Sequence, residues 1–214
     1  MKYKIAIFDM DGTILDTLDD LCDSVNYALT QHGLPVRTRQ EIRSYLGNGF
    51  RNLLTNACPA ETDPELLEEV FQTFKPYYRS HCAVKTCAYD GISEVIATLR
   101  RAGVITAVLS NKGDAAVQDL VKDYFPDMFD YAVGEREGVR RKPAPDGVFE
   151  VLRHFGCTAE EAVYIGDSEV DFATAKNAGT DVIMVGWGFR DEDYILAQGA
   201  SRVIHQPGEI LDLL

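Results

Sequence analysis

The chain has 214 residues, 46% of them apolar, which suits one large domain or a medium and a small one with a proper core; disorder, collagen and a disulfide miniprotein are excluded. Its 21 basic and 34 acidic residues leave a formal charge of -13, a field that repels phosphate backbones and anionic lipid surfaces, so nucleic acid and membrane are not expected as partners. Five scattered cysteines, none in C-x-x-C spacing, and four histidines far apart in sequence point to reduced core thiols and not to disulfides or zinc.

The first predicted element is an apolar run at residues 4–8. It ends in the polar turn Asp9-Met10-Asp11-Gly12-Thr13, the pattern of a buried strand presenting carboxylates at its C-terminal end. From about Asp16 to about Lys85 the pattern turns helical without a convincing strand. Leu18, Leu21, Val25, Ala28 and Leu29 share one helical face, and Leu66, Leu67, Val70, Phe71 and Phe74 share another. Pro64 after Asp63 marks a helix start, and Gly47-Asn48-Gly49 breaks the stretch into two hairpin-like halves. Beyond it, apolar runs at 104–109, 162–165, 182–185 and, more weakly, 202–204 alternate with helical patterns at 92–101, 114–124, 145–155 and 169–178. Gly103, Pro126, Gly156 and Gly179 close those helices. The alternation predicts an α/β fold, a Rossmann-like parallel sheet formed by residues 1–15 and 85–214, with a small helical domain of residues 16–84 inserted. No leader pattern and no membrane-length apolar run occurs, so a cytoplasmic protein is expected.

Ligands of such sheets sit beyond the carboxyl ends of the strands, where the polar turns fall. Asp9 and Asp11 flank one residue and in an extended strand project to the same side, where each raises the other's pKa unless a cation or proton is shared. An ordinary acidic turn has the same sequence. Asp167 and Asp171 lie at another strand end and one turn into the next helix, a spacing that brings two carboxylates to one face and suits an oxygen-liganded Mg2+. Capping of that helix by Asp167 or Ser168 explains one acid but not both. Ser110 and Asn111 end a strand either as a helix cap or as part of an anion site. Lys142, in Arg140-Arg141-Lys142-Pro143-Ala144-Pro145, is a cation held just before a helix, with neighbouring arginines that blur its reading.

Taken together and in this order, D-x-D-G-T, a strand ending in S-N, K-P before a helix, and G-D-x-x-x-D resemble the haloacid dehalogenase-like hydrolase superfamily over the whole chain. The inserted helical domain is similar to that family's smaller cap type. The resemblance implies Asp9 as the nucleophile that forms an aspartyl-phosphate, and Asp11 as the acid that protonates the leaving oxygen and then activates water. It implies Ser110 and Lys142 as phosphoryl ligands, with Thr13 and Asn111 beside them in the substrate site. It assigns Mg2+ to Asp9, Asp167 and the Asp11 carbonyl, with Asp171 orienting Lys142 or supporting the metal. Mg2+, Lys142 and helix N-termini would then form a positive pocket inside an acidic shell.

Asp11 favours phosphate esters over the family's dehalogenases and phosphonate-cleaving members, which lack that acid. Leu21 stands where its sugar-phosphate mutases carry a histidine. Asp16-Thr17, Tyr45 to Gly49 and the segment from Arg140 to Pro145 look most like phosphoglycolate phosphatases. Sugar-phosphate mutase, pyrophosphatase, nucleotidase, sugar-phosphate phosphatase and a non-catalytic binding or regulatory protein on the same scaffold stay open. In the cap, Asn48 and Arg51 are candidates for the leaving group, Arg51 through a substrate carboxylate, although a helix-to-helix turn with a solvated arginine reads the same. The expected partner is a small phosphate ester, and the protein itself a monomer or homodimer.

Overall fold

All four residues of β1 (Ile5–Phe8) are buried, because helices cover both faces of the strand. The chain continues through β2 (Leu15–Asp16), α1 (Leu18–Gln31), α2 (Arg39–Tyr45), α3 (Gly49–Ala57), α4 (Pro64–His81) and β3 (Cys87–Ala88). It then runs through α5 (Ile92–Arg101), β4 (Ile105–Gly113), α6 (Asp114–Tyr124), β5 (Tyr131–Glu135) and α7 (Asp146–Phe155). The last elements are β6 (Ala162–Gly166), α8 (Glu169–Ala178), β7 (Asp181–Val185), α9 (Glu192–Ala197), β8 (Val203–Ile204) and α10 (Glu209–Leu213). This computed structural model describes residues 2–47 and 49–214, and the chain divides into two compact units, Met1–Leu15 with Ala88–Leu214, and Asp16–Cys87.

The first unit carries a six-stranded sheet of order β5-β4-β1-β6-β7-β8, with every pairing parallel. Ala6 and Phe8 of β1 point into a core with Ile92, Val95, Ile96 and Leu99 of α5 and Val117 and Leu120 of α6. Ile5 and Ile7 point the other way, to Val148, Val151 and Leu152 of α7 and Ala175 and Ala178 of α8. That two-sided burial is why β1 reads as an unbroken apolar run. Gly156 and Gly179 end α7 and α8 in the left-handed conformation, at φ 65° and 75°.

Three strands depart from the sequence reading, the two-residue β2 and β3 and the longer β5 at 131–135. The pattern there is short and mixed because β5 is the sheet edge: Tyr131 and Ala132 are half-buried, Val133 is buried and Glu135 exposed. Its register to β4 shifts between Leu109 and Gly113. At Gly134 any Cβ would overlap the Lys112 carbonyl, so only glycine admits the irregular segment of β4 alongside.

The second unit is helical. Leu18, Leu21, Val25, Ala28 and Leu29 of α1 are buried, as their spacing predicts. In α4 the buried stripe is Val70, Phe74 and Tyr78, whereas Leu66, Leu67 and Phe71 are half-buried, so the predicted face is rotated toward the helix end. Asp63 caps α4 by accepting from Glu65 N at 2.8 Å, with Pro64 in the first turn. Buried Asp20 of α1 accepts hydrogen bonds from the backbone N–H groups of Val84, Lys85 and Thr86 at 2.9–3.0 Å and from the Thr86 hydroxyl at 2.8 Å, fastening the returning chain to α1.

None of the five cysteines is in a disulfide, but only Cys22 and Cys58 are core thiols; Cys82 and Cys157 are half-buried and Cys87 is exposed. Among the described residues no helix is long and apolar enough to cross a membrane.

Candidate active site

Asp9 follows β1, Asp167 follows β6 next to it, and Ser110 lies in β4 on the other flank of β1. In this strand order the chain reverses direction of travel between β1 and β6, and the crevice beyond such a switch point is where open α/β sheets hold ligands. The Asp9 N–H donates to Ile165 O at 2.8 Å, which carries the sheet ladder one residue past β1, and Met10 N donates to Asp9 Oδ1 at 2.7 Å.

Lys142 is buried, and its ammonium group has three donors to satisfy. Nζ lies 2.7 Å from Asp9 Oδ1, 2.8 Å from Asp171 Oδ1 and 3.1 Å from the Tyr164 hydroxyl. Burial alone would pull its pKa down, but the charges of Asp171 and Asp9 outweigh that and hold it well above the ordinary lysine value. Ser168 N and Oγ in turn donate to Asp171 Oδ2 at 3.1 and 2.6 Å, as Ser168 caps α8 in a capping box. The capping and charge-pairing readings of this motif therefore coexist in the same residues. Gly166 leaves room for this: a Cβ there would overlap Asp171.

Asp9, Asp167 and Asp171, all buried, each offer an oxygen within 4.8 Å of the others. Burial, followed by the charge of Asp171, raises the Asp9 carboxyl well above its usual range despite Lys142, and pushes Asp167 up to about 7. Such crowding of acids is relieved by a proton or by a cation. The donors are all oxygen, which suits a hard divalent cation; Asp171 is besides engaged through both oxygens by Lys142 and Ser168.

The loop after β7 holds Asp167 in place. Phe189 N donates to Asp167 Oδ2 at 2.6 Å, and the Trp187 indole donates to Thr13 O at 3.0 Å. At Gly12, φ 84°, a Cβ would lie 2.5 Å from Asp167 Oδ2; at Gly188 it would overlap both Asp167 and the Gly12 carbonyl. The sequence shows Gly186-Trp187-Gly188 as a polar turn after a strand, but its role in holding Asp167 appears only in the fold. Tyr164, also missed, sits in a β6 run that reads simply as core.

Several expected residues also make other contacts in the fold. Thr13 is fully buried, with its hydroxyl 3.4 Å from Asp167 Oδ1 and its carbonyl accepting from Trp187 in the loop. Asn111, expected among the substrate ligands, uses both ends of its amide on the backbone of Lys142, at 3.0 and 2.9 Å. The Lys142–Pro143 peptide is cis. Asp11 pairs with Lys112, whose Nζ lies 2.8 Å from Asp11 Oδ1. Lys112 was not among the sequence candidates; the available signal was its position two residues after Ser110, on the same side of an extended strand. Arg51 belongs to the helical unit, where it pairs with Glu68 at 2.8 Å and lies 4.5 Å from the centre of the Phe71 ring. Asn48 lies outside the described residues.

A family model described as haloacid dehalogenase-like hydrolase matches residues 6–185. The N-acetylmuramic acid 6-phosphate phosphatase of Pseudomonas aeruginosa is 30% identical over 216 aligned positions, covering 100% of this chain and 96% of that protein. The phosphoglycolate phosphatase of Mesorhizobium japonicum is 32% identical, covering 89% of this chain and 86% of that one. Among solved structures, one from Lactobacillus delbrueckii subsp. bulgaricus, provisionally assigned as a phosphoglycolate phosphatase, matches with TM-score 0.95 and 39% identity across 100% of this chain and 98% of its own.

Proposed function

The chain belongs to the haloacid dehalogenase-like hydrolase family, and on that premise we propose that it is a Mg2+-dependent phosphatase that hydrolyses a small phosphate monoester of the phosphoglycolate kind through an aspartyl-phosphate on Asp9. The observation that carries this reading is the Asp9–Lys142 contact at 2.7 Å with Asp167 alongside, a carboxylate, a cation and a second carboxylate beyond neighbouring strand ends.

Asp9 and Asp167 would hold Mg2+, with the Asp11 main-chain carbonyl added by the family resemblance; the ion would supply charge neutralisation at the phosphoryl oxygens. Ser110 and Lys142 bind and orient the phosphoryl group, while Asp171, Tyr164 and Asn111 position Lys142. As an Asp9 oxygen forms its bond to phosphorus, the ester P–O bond breaks and its electron pair stays on the alcohol oxygen, which takes the proton of Asp11. Water then attacks phosphorus and gives its proton to Asp11; the Asp9–phosphorus bond breaks, restoring the carboxylate and releasing phosphate. These groups address only the phosphoryl end that all esters share, so they do not themselves choose the leaving group. We place the enzyme in the cytoplasm, as a monomer or homodimer.

A panel of phosphate esters with Mg2+ or with excess chelator tests the proposal. Hydrolysis that chelator abolishes and that Asp9→Asn eliminates is expected. Undiminished turnover in chelator, a phosphoryl adduct on Asp11 instead of Asp9, or no hydrolysis of any ester overturns it.

A further inference from the structure

Ser110, Asn111 and Lys112 are consecutive, yet each serves a different part of the site: Ser110 lies at the expected phosphoryl position, Asn111 holds the Lys142 backbone, and Lys112 reaches Asp11. Lys112 is the least expected of the three. Its side chain is 2% exposed, deep burial for an ammonium group, while the Asp11 side chain it meets at 2.8 Å is 21% exposed. A long cation buried at that depth is costly unless its position matters or its partners compensate it. The backbone makes the arrangement specific. Lys112 N donates to Ser110 Oγ at 3.1 Å, the register of β4 shifts between Leu109 and Gly113, and the bare Cα of Gly134 admits the Lys112 carbonyl. One residue thus ties the hydroxyl expected on the phosphoryl group to the carboxyl expected on the leaving oxygen.

Building on the function proposed above, we propose that Lys112 is the positioning residue of Asp11: by holding Oδ1, it fixes the carboxyl for proton exchange and so determines how well the enzyme expels a poor leaving group. Asp11 stands on the turn after β1, three residues past the strand's last residue. The ion pair constrains its side chain from β4. Loss of a cation used only to bind phosphate would slow all esters alike. A cation that aims the acid matters chiefly when the departing oxygen needs a proton.

The test compares kcat/KM, which reports events through departure of the alcohol, for a 4-nitrophenyl ester and for 2-phosphoglycolate at saturating Mg2+. The phenolate departs without a proton, whereas the aliphatic alcohol needs one. Lys112→Met is expected to lower kcat/KM for phosphoglycolate by about 10- to 100-fold, a part of the ~10²–10⁴ that a positioned acid contributes. The aryl ester should lose less than about threefold, Lys112→Arg should restore most of the difference, and Lys112→Met should add no leaving-group selectivity in an Asp11→Asn background. Equal losses on both esters, or an additive loss on top of Asp11→Asn, overturn the inference and make Lys112 a structural or phosphate-binding residue. If Lys112→Met does not fold, the same comparison is read from Lys112→Arg, whose leaving-group dependence must then lie between wild type and Asp11→Asn; coincidence with wild type on a folded variant that has lost the Asp11 contact overturns the inference. Turnover that survives Asp9→Asn, or none in wild type, instead defeats the proposed function and this inference with it.

Discussion

Asn111 and Lys142, 31 residues apart, are joined by a reciprocal pair of hydrogen bonds: the Asn111 amide donates to the Lys142 carbonyl at 3.0 Å and accepts from its N–H at 2.9 Å. The amide reads the Lys142 peptide as a neighbouring strand would, and fixes the backbone from which the ammonium group reaches Asp9 and Asp171. Removing the amide in Asn111→Ala should lower kcat/KM by about tenfold, since two hydrogen bonds of ~1 kcal/mol each are lost, part of it as misplacement of Lys142. Steady-state kinetics beside a melting curve check this: a drop in melting temperature with unchanged kcat/KM means that the ion pairs alone hold Lys142.

Gly188 makes a sharper demand, because any Cβ there overlaps Asp167 and the Gly12 carbonyl. Gly188→Ala should weaken Mg2+ binding by tenfold or more and cost about 1–3 kcal/mol of stability through overpacking. Trp187, the single tryptophan, donates to Thr13 O beside Asp167 and offers a fluorescence readout of cation binding without substrate. A Mg2+ titration of the variant that superimposes on wild type contradicts the assignment of Asp167 to the cation.

Cation binding and protons should compete at Asp167. Burial first, and the Asp171 charge second, push its carboxyl up to about 7, whereas in the unfolded chain it titrates near 4. The folded state therefore holds this proton more tightly. Its stabilising contribution is complete below about pH 4, shrinks as pH rises, and is lost as pH passes through about 7. Mg2+ binds the ionised form, so its stabilisation of the fold should grow across the same window. Differential scanning calorimetry at pH 5.5 and 7.5, with and without Mg2+, measures this; an increment equal at both pH values excludes linkage to Asp167.

Asp20 carries the joint within the helical unit. Asp20→Ala strips three backbone N–H groups at Val84, Lys85 and Thr86 of their acceptor, and should destabilise the protein by about 3 kcal/mol. Asp20→Asn keeps one acceptor oxygen and should lose less. Chemical denaturation gives both values, and equal losses would mean that charge, not acceptor count, holds this turn.

Much of this arrangement was legible without coordinates because its determinants are local. The apolar run before Asp9, the glycines that close α7 and α8, and the serine that caps α8 each act over a few residues, so periodicity and cap chemistry reveal them. Asp9, Asp167 and Ser110 stand out because each follows an apolar run, although β4 continues past Ser110 to Gly113, and Lys142 because it shortly precedes α7. The partners do not. Lys112 and Asp11 are 101 positions apart, Phe189 and Asp167 22, and nothing in either neighbourhood names the other. Which oxygen meets which donor depends on strand order, on the register shift in β4 and on the room left by Gly134 and Gly188. Edge strand β5 belongs to the same class, since it is a strand by virtue of pairing with β4 and has too few buried residues to declare itself. Local chemistry sets the elements and the groups they carry; the packed sheet sets how those groups pair, because pairing is a property of distances between segments that local physics leaves free.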